Sequence, residues 1–271
     1  MPQTETFLAA AASSKALYAV GGYDGSNFSA ALQIYNSATN TWSSGAPMLT
    51  ARKGLAAAYA NGTLFAMGGT NDATDFATVE AYNPATNHWR EVTAMPTART
   101  SLAAVTVNGI VYAIGGNDSH GNFLGTVEAY NPKTKLWSEE AAMPTPRQGL
   151  AVAAAGGVIY AMGGQISSGP TNIVEAYTIA TNTWSEKPPM PTKRVYLGGG
   201  AINGVIYAAG GENTNGQYIG TLEAYTPSKN KWTTKASMPI AEDGFGSAVQ
   251  NGKLYAAGGA ADALALQAYT P

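Results

Sequence analysis

The sequence contains no cysteine, which removes disulfide staples, thiolate nucleophiles and Cys-ligated metals together and leaves the redox compartment undetermined. Only two histidines occur, and charged residues make up 12% of the 271 positions. The formal net charge of -2 offers no basic field to nucleic acid or to an anionic membrane surface, so neither is an expected partner. No run approaches the roughly 20 apolar residues that span a bilayer. The opening "FLAAAASS" is too short in its apolar part, and lacks the preceding positive charge, to be a signal peptide. The chain is therefore expected to be soluble, with its compartment left open.

Abundant instead are 32 Gly and 14 Pro among 45% hydrophobic residues, a composition suited to many short strands joined by turns. Six apolar runs end in a glycine doublet: "LYAVGG", "LFAMGG", "VYAIGG", "IYAMGG", "IYAAGG" and "LYAAGG". Each is followed by a polar loop and a Tyr, as in "EAYN" or "QAYT", and five by a Trp: Trp42, Trp89, Trp137, Trp184 and Trp232. Each Trp lies seven residues after its Tyr and six before the next Met, and each Met lies twenty before the next doublet. Segments that admit no insertion are expected to be strands held in sheet register. Only the stretch between doublet and Tyr varies, from 11 to 15 residues.

Each period of 47 or 48 residues reads as four strands. "NG" in "VNGIVYA" predicts a two-residue hairpin between the first two, and "NPATN" a turn between the last two. Six such units, with Gly-Gly followed by Tyr and then Trp, resemble the Kelch family of β-propellers over essentially the whole chain. The resemblance implies an all-β fold, a six-bladed propeller of four-stranded antiparallel blades forming one unit over residues 1–271. No Trp-Asp dipeptide supports the rival WD class. The doublet is expected to admit a bulky aromatic such as the Trp, and the Ala- and Gly-rich first strand to line the crowded axis. With Met1 in register with Met48, the chain starts before a first strand and stops after a third. Blade six should therefore lack its outermost strand and expose the edge of "ALALQAY", read first as a repeat cut short and alternatively as a pairing site for a partner chain or a symmetry mate.

Alternating strand direction places the loop after Gly-Gly and the "MPTxR" loop on one face, where the length variation lies. Such loops commonly form the binding surface of repeat proteins. Their Asn, Asp, Ser and aromatic content suits a protein, peptide or glycan ligand, with Tyr23, Asp24, Asn71, Asp72, Asn117, His120, Asn122, Asn213 and Tyr218 as candidate contacts, although the same residue types also simply build turns. Four places after each Met stand Glu5, Arg52, Arg99, Arg147, Arg194 and Glu242. Two places before each Tyr stand Gln33, Glu80, Glu128, Glu175, Glu223 and Gln267. Arg occurs with Glu and Glu with Gln, so the arginines are expected to pair structurally with the glutamates rather than to await an anion.

Glu5, Glu242 and Asp243 are left without guanidinium partners at the seam of the ring. They are candidate ligand-binding carboxylates for a sugar or Ca²⁺, or for acid-base work. The expected function is a non-catalytic binding module. The alternatives are a sugar-modifying enzyme of mutarotase or epimerase type, recruiting Arg147, Arg194, Glu242 and Tyr196, and a structural or engineered scaffold without ligand. No cofactor or metal is implied. The copper-radical oxidases that the resemblance brings in need a Cys cross-linked to Tyr and histidine ligands, and the absent Cys excludes them.

Overall fold

The computed structural model describes all 271 residues, and it is built from strands and turns, with two 3₁₀ turns and no α-helix. No helix is long and apolar enough to cross a membrane. Blade one comprises Ala9–Ala12, Leu17–Val20, Leu32–Asn36 and Thr41–Ser44, hydrogen-bonded in that order. Blades two to five repeat the antiparallel plan from Ala56–Ala60 to Lys231–Lys235. Blade six has three strands, Gly246–Gln250, Lys253–Ala257 and Leu266–Tyr269, as the repeat register predicts. First strands touch one another around the ring, and that of blade one meets that of blade six. This closes a six-bladed propeller.

The local reasons are legible strand by strand. Asn-Gly pairs such as Asn61-Gly62 and Asn203-Gly204 both take positive φ, the geometry that matches hairpin twist. The first strands must be thin because they line the axis. A Cβ on Gly200 would collide with Val249 of the next blade. Each repeat Tyr packs sideways onto an aromatic in the second strand of the preceding blade, at centroid distances from 5.5 Å for Tyr269–Tyr207 to 6.3 Å for Tyr82–Tyr18. In blades one to five the blade's own Trp also lies against this Tyr with the rings tilted, 5.2 Å away and at 40° for Trp89. In blades two to five the indole N–H also donates to a carbonyl of the preceding repeat, as Trp89 does to Ala46 at 2.8 Å.

The Gly doublet has a different role from the expected one. A Cβ on Gly68 would lie 2.6 Å from the Arg99 carbonyl and 2.9 Å from Leu102, with no aromatic against it. The second glycine of every blade donates its N–H to the carbonyl of the residue four after the next Met, at 2.7 to 3.2 Å. These acceptors are Arg52, Arg99, Arg147, Arg194, Glu242 and, across the seam, Glu5. A backbone carbonyl of the next repeat makes the close approach at the first glycine of every doublet, and only at Gly210 does a ring, that of Phe245, approach as closely.

The arginine side chains turn into their own blades and are fully buried. Arg52 meets Glu80 at 3.1 Å, while Arg99–Glu128, Arg147–Glu175 and Arg194–Glu223 close at 2.7 Å. Further guanidinium N–H groups donate to carbonyls, those of Arg99 to Gly115, Thr126 and Ala113. Burial draws Arg194 down to about 10 and Glu223 opposes this, so the group stays charged near neutrality. Where Arg is replaced by Glu, Gln fills the partner position. Gln33 and Gln267 bind the backbone of Gln3 and Ile240 through both amide atoms.

Two outcomes follow for chemical denaturation. Trp89→Ala should destabilise by about 3 to 5 kcal/mol, since it empties a buried site and leaves the Ala46 carbonyl unpaired. Arg99→Met should cost about 3 to 5 kcal/mol by stranding Glu128, and Arg99→Glu with Glu128→Gln, the combination of blades one and six, should cost less than Arg99→Glu alone.

Candidate functional site

The face carrying the variable loops narrows to a ring of backbone at the axis. Phe7 donates its N–H to Gly244, Gly244 to Tyr196, Tyr196 to Gly149, Gly149 to Ser101, Ser101 to Gly54, and Gly54 back to Phe7, at 2.7 to 3.1 Å. All six residues sit at φ between 52° and 62°. Three of them are not glycine, so Phe7, Ser101 and Tyr196 hold a conformation that costs energy outside glycine. The Phe7 and Tyr196 rings meet edge to face at 5.2 Å on either side of Gly244. They lie at a small cavity of about 110 Å³ on the axis. A side chain on Gly149 would strike Tyr196 at 2.8 Å, so the glycines make room for the aromatics.

One step out from the axis, Asp243 is 2% exposed and its Oδ1 has no hydrogen-bond partner. Burial raises its carboxyl to about 6, with Glu212 and Glu242 adding repulsion. Asp243 in turn raises the Tyr218 phenol, and burial, more than Asp243 and Glu212, raises that of Tyr196. Tyr196, Tyr218, Glu212 and Asp243 thus form one electrostatic neighbourhood in blades five and six.

Glu242 and Glu5 do not complete a three-carboxylate site. Glu242 turns into blade six, where its two oxygens accept the N–H groups of Ala261 and Asp262 at 2.8 and 2.7 Å. Its carboxyl is raised by burial, an effect those N–H bonds oppose. The Glu5 side chain turns into blade one, against Gly22, with Oε2 buried and unpartnered. Burial lifts it to about 7, against a hydrogen bond from Ser29 and with help from Asp24. No three His, Cys, Asp or Glu side chains converge as a metal site. The two seam glutamates diverge because each loop residue at this position sends its carbonyl back to the preceding blade and its side chain forward into its own.

The outer loop candidates divide sharply. Asp24 accepts the N–H groups of Ser26 and Asn27, Asn71 those of Ala73 and Thr74, and Asn213 those of Asn215 and Gln217, so all three build their own turns. Asn122 donates to Asp118, and exposed His120 stands 4.0 Å from the same carboxylate. Asp72 pairs with Lys53 at 3.0 Å. Lys53 also lies 5.2 Å from the ring of Tyr23 and 5.5 Å from that of Phe28. Asn117 Oδ1 is buried without a partner, and Tyr218 is exposed. The sequence reading passed over Phe7, Glu212 and Lys53. The mixed Gly and aromatic identity six places after each Met was the available signal for Phe7.

Three carboxyls held above their ordinary values, those of Glu5, Asp243 and Glu242, set the sign of the pH dependence. Glu5 rises from 4.5 to about 7 and Asp243 from 3.8 to about 6, so the folded state binds more protons than the unfolded state between roughly pH 4 and 7. Their contribution is full below the unfolded values and is lost as pH rises through the folded ones. Melting temperature should therefore increase by a few degrees from pH 8 to pH 5, and Glu5→Gln with Asp243→Asn should flatten this slope. An unchanged slope in the double variant would remove the assignment.

The KLHDC2/KLHL20/DRC7 Kelch-repeats domain model matches residues 93–259, and the Kelch motif model matches residues 6–49 and 51–96. No curated protein matches the sequence. The solved structure of YjhT superposes with a TM-score of 0.85 at 18% identity, over 99% of this chain and 94% of that one, a likeness of fold alone. With one model spanning more than half of the residues and the other taking in the first two repeats, the chain belongs to the KLHDC2/KLHL20/DRC7 Kelch-repeats family.

Proposed function

We propose that the chain is a non-catalytic binding module whose loop face takes a basic segment of a partner protein, with a Lys or Arg side chain reaching Asp243. The observation that carries this reading is the buried, unpartnered Oδ1 of Asp243, with Glu212 and Glu242 acting on it. A recessed carboxylate is reached best by a cation on a long apolar stem, and the nearby aromatic rings of Tyr196 and Tyr218 add cation–π attraction. A sugar-modifying role has less support, because Arg147 and Arg194 are committed to Glu175 and Glu223, and Glu242 to the blade-six backbone.

Calorimetric titration with a lysine- and arginine-rich peptide, its acidic counterpart and neutral oligosaccharides tests the proposal. The basic peptide should bind, should tighten as pH rises from 5 to 7.5 while Asp243 ionises, and should weaken on the order of tenfold with Asp243→Asn. Binding of the oligosaccharides alone, or an affinity for the basic peptide indifferent to Asp243→Asn, would overturn it.

A further inference from the structure

The position four after each Met holds Glu in two blades, and the two glutamates meet different fates. Glu242 is satisfied by the Ala261 and Asp262 N–H groups at 2.8 and 2.7 Å. Glu5 is just as hidden, 2% exposed, yet its Oε2 receives no hydrogen bond. A buried carboxylate oxygen without a donor is costly, so a donor brought from outside gains more there than at a solvated carboxylate. The segment that carries Glu5 is held in the repeat register. Gln33 grips the Gln3 backbone through both amide atoms, as Glu80 grips Leu49 and Thr50.

A second acceptor is free in the same blade. In blades two, three and five the carbonyl four residues before the repeat Tyr, that of Thr78, Thr126 or Thr221, takes two donors: the N–H of the first doublet glycine and a guanidinium N–H of the Arg. Its blade-one counterpart, the Ala31 carbonyl, takes the Gly21 N–H at 2.9 Å and no second donor, since Glu5 stands in place of the Arg. Glu5 and Ala31 both line an open cavity of about 670 Å³, together with Asp24, Phe28, Ser29 and Pro47. The Ser29 hydroxyl acts on the Glu5 carboxyl but leaves Oε2 unserved. Asp24 adds repulsion to Glu5, and Lys53 of the next blade, 5.5 Å from the Phe28 ring, is held by Asp72 at 3.0 Å. The cavity therefore presents acceptors and negative charge.

We infer that this cavity binds a guanidinium group on an alkyl stem, with Glu5 as its counter-ion and the Ala31 carbonyl as its second acceptor. Guanidinium carries donors and no acceptor, which matches such a wall. The other repeats show the chemistry. Arg52, Arg99 and Arg194 each place one terminal nitrogen on the carbonyl equivalent to that of Ala31 and the other on a carboxylate. The planar fork reaches two acceptors at once, which a compact ammonium does less well. Phe28 and Pro47 offer apolar surface to the stem. The site belongs to blade one, apart from Asp243, and does not rest on the function proposed above.

Amide NMR titration of the unaltered protein with butylguanidinium, butylammonium, and capped Gly-Arg-Gly and Gly-Lys-Gly peptides is the test. The guanidinium probes should bind saturably, about tenfold more tightly than their ammonium counterparts, and should shift the amides of Glu5, Ser29 and Ala31. Tighter binding of the Arg peptide than of butylguanidinium assigns the ligand to polypeptides, and the reverse assigns it to small guanidino compounds. Because burial lifts Glu5 to about 7, binding near neutral pH should release protons, read as a calorimetric heat that varies with the buffer. Glu5→Gln should weaken binding on the order of tenfold and abolish that release, whereas Asp243→Asn should leave both unchanged. Glu5→Arg with Gln33→Glu, the combination of blades two to five, should close the site. The probe comparison and the proton release use the unaltered protein, so they decide the matter whether or not a variant folds. No saturable binding, equal affinity for ammonium and guanidinium, shifts confined to other residues, or an affinity indifferent to Glu5→Gln in a folded variant would overturn the inference.

Discussion

The hydrogen bond from the second glycine of each doublet to the carbonyl four places after the next Met ties each blade to its neighbour. It is made six times, including once across the seam. Because a main-chain carbonyl accepts it, the side chain at that position does not enter the bond. Arg occupies it in four blades and Glu in two, with the same inter-blade contact. The glycine cannot vary as freely, since a Cβ there would press on backbone atoms. The repeat therefore separates an invariant mechanical contact from a variable chemical one at a single residue. The arginine slots fill the space inside four blades with a guanidinium whose terminal nitrogens meet a carboxylate and main-chain carbonyls, while each Nε stays buried without a partner.

This division explains which parts of the molecule could be read in advance. Tyr, Trp and Met recur at fixed intervals because a sheet register admits no insertion, so strand order and the three-stranded sixth blade were legible. The Arg and Glu pairs were legible as a coupled change among six internal copies. The purpose of the doublet was not, because a glycine that admits a ring and one that admits a carbonyl leave the same mark in a sequence. The seam carboxylates were misplaced for a related reason. Nothing local to Glu5 or Glu242 says that backbone and side chain serve different blades.

The loops show the same limit at finer scale. Asp24, Asn71 and Asn213 match the residue types of a polar binding surface, yet each is engaged by N–H groups two to four residues further on. Short polar side chains in turns meet their own backbone before they meet a ligand. Asp243 escaped this fate because it follows the inter-blade residue and is held by flanking backbone bonds. Ala260 donates to its carbonyl, while its side-chain Oδ1 stays unpaired.

The closed circle through Phe7, Gly54, Ser101, Gly149, Tyr196 and Gly244 bears on the electric field at the mouth. Each N–H points to the carbonyl of the neighbour in the same rotational sense, so the in-plane components of the bond dipoles cancel around the circle. A helix end projects a fixed partial charge along its axis; this ring directs no net dipole toward any one blade. Polarity at the mouth is consequently left to the side chains placed around it, and one substitution at Asp243, Glu212 or Lys53 can reset what the mouth attracts without disturbing the frame that holds it.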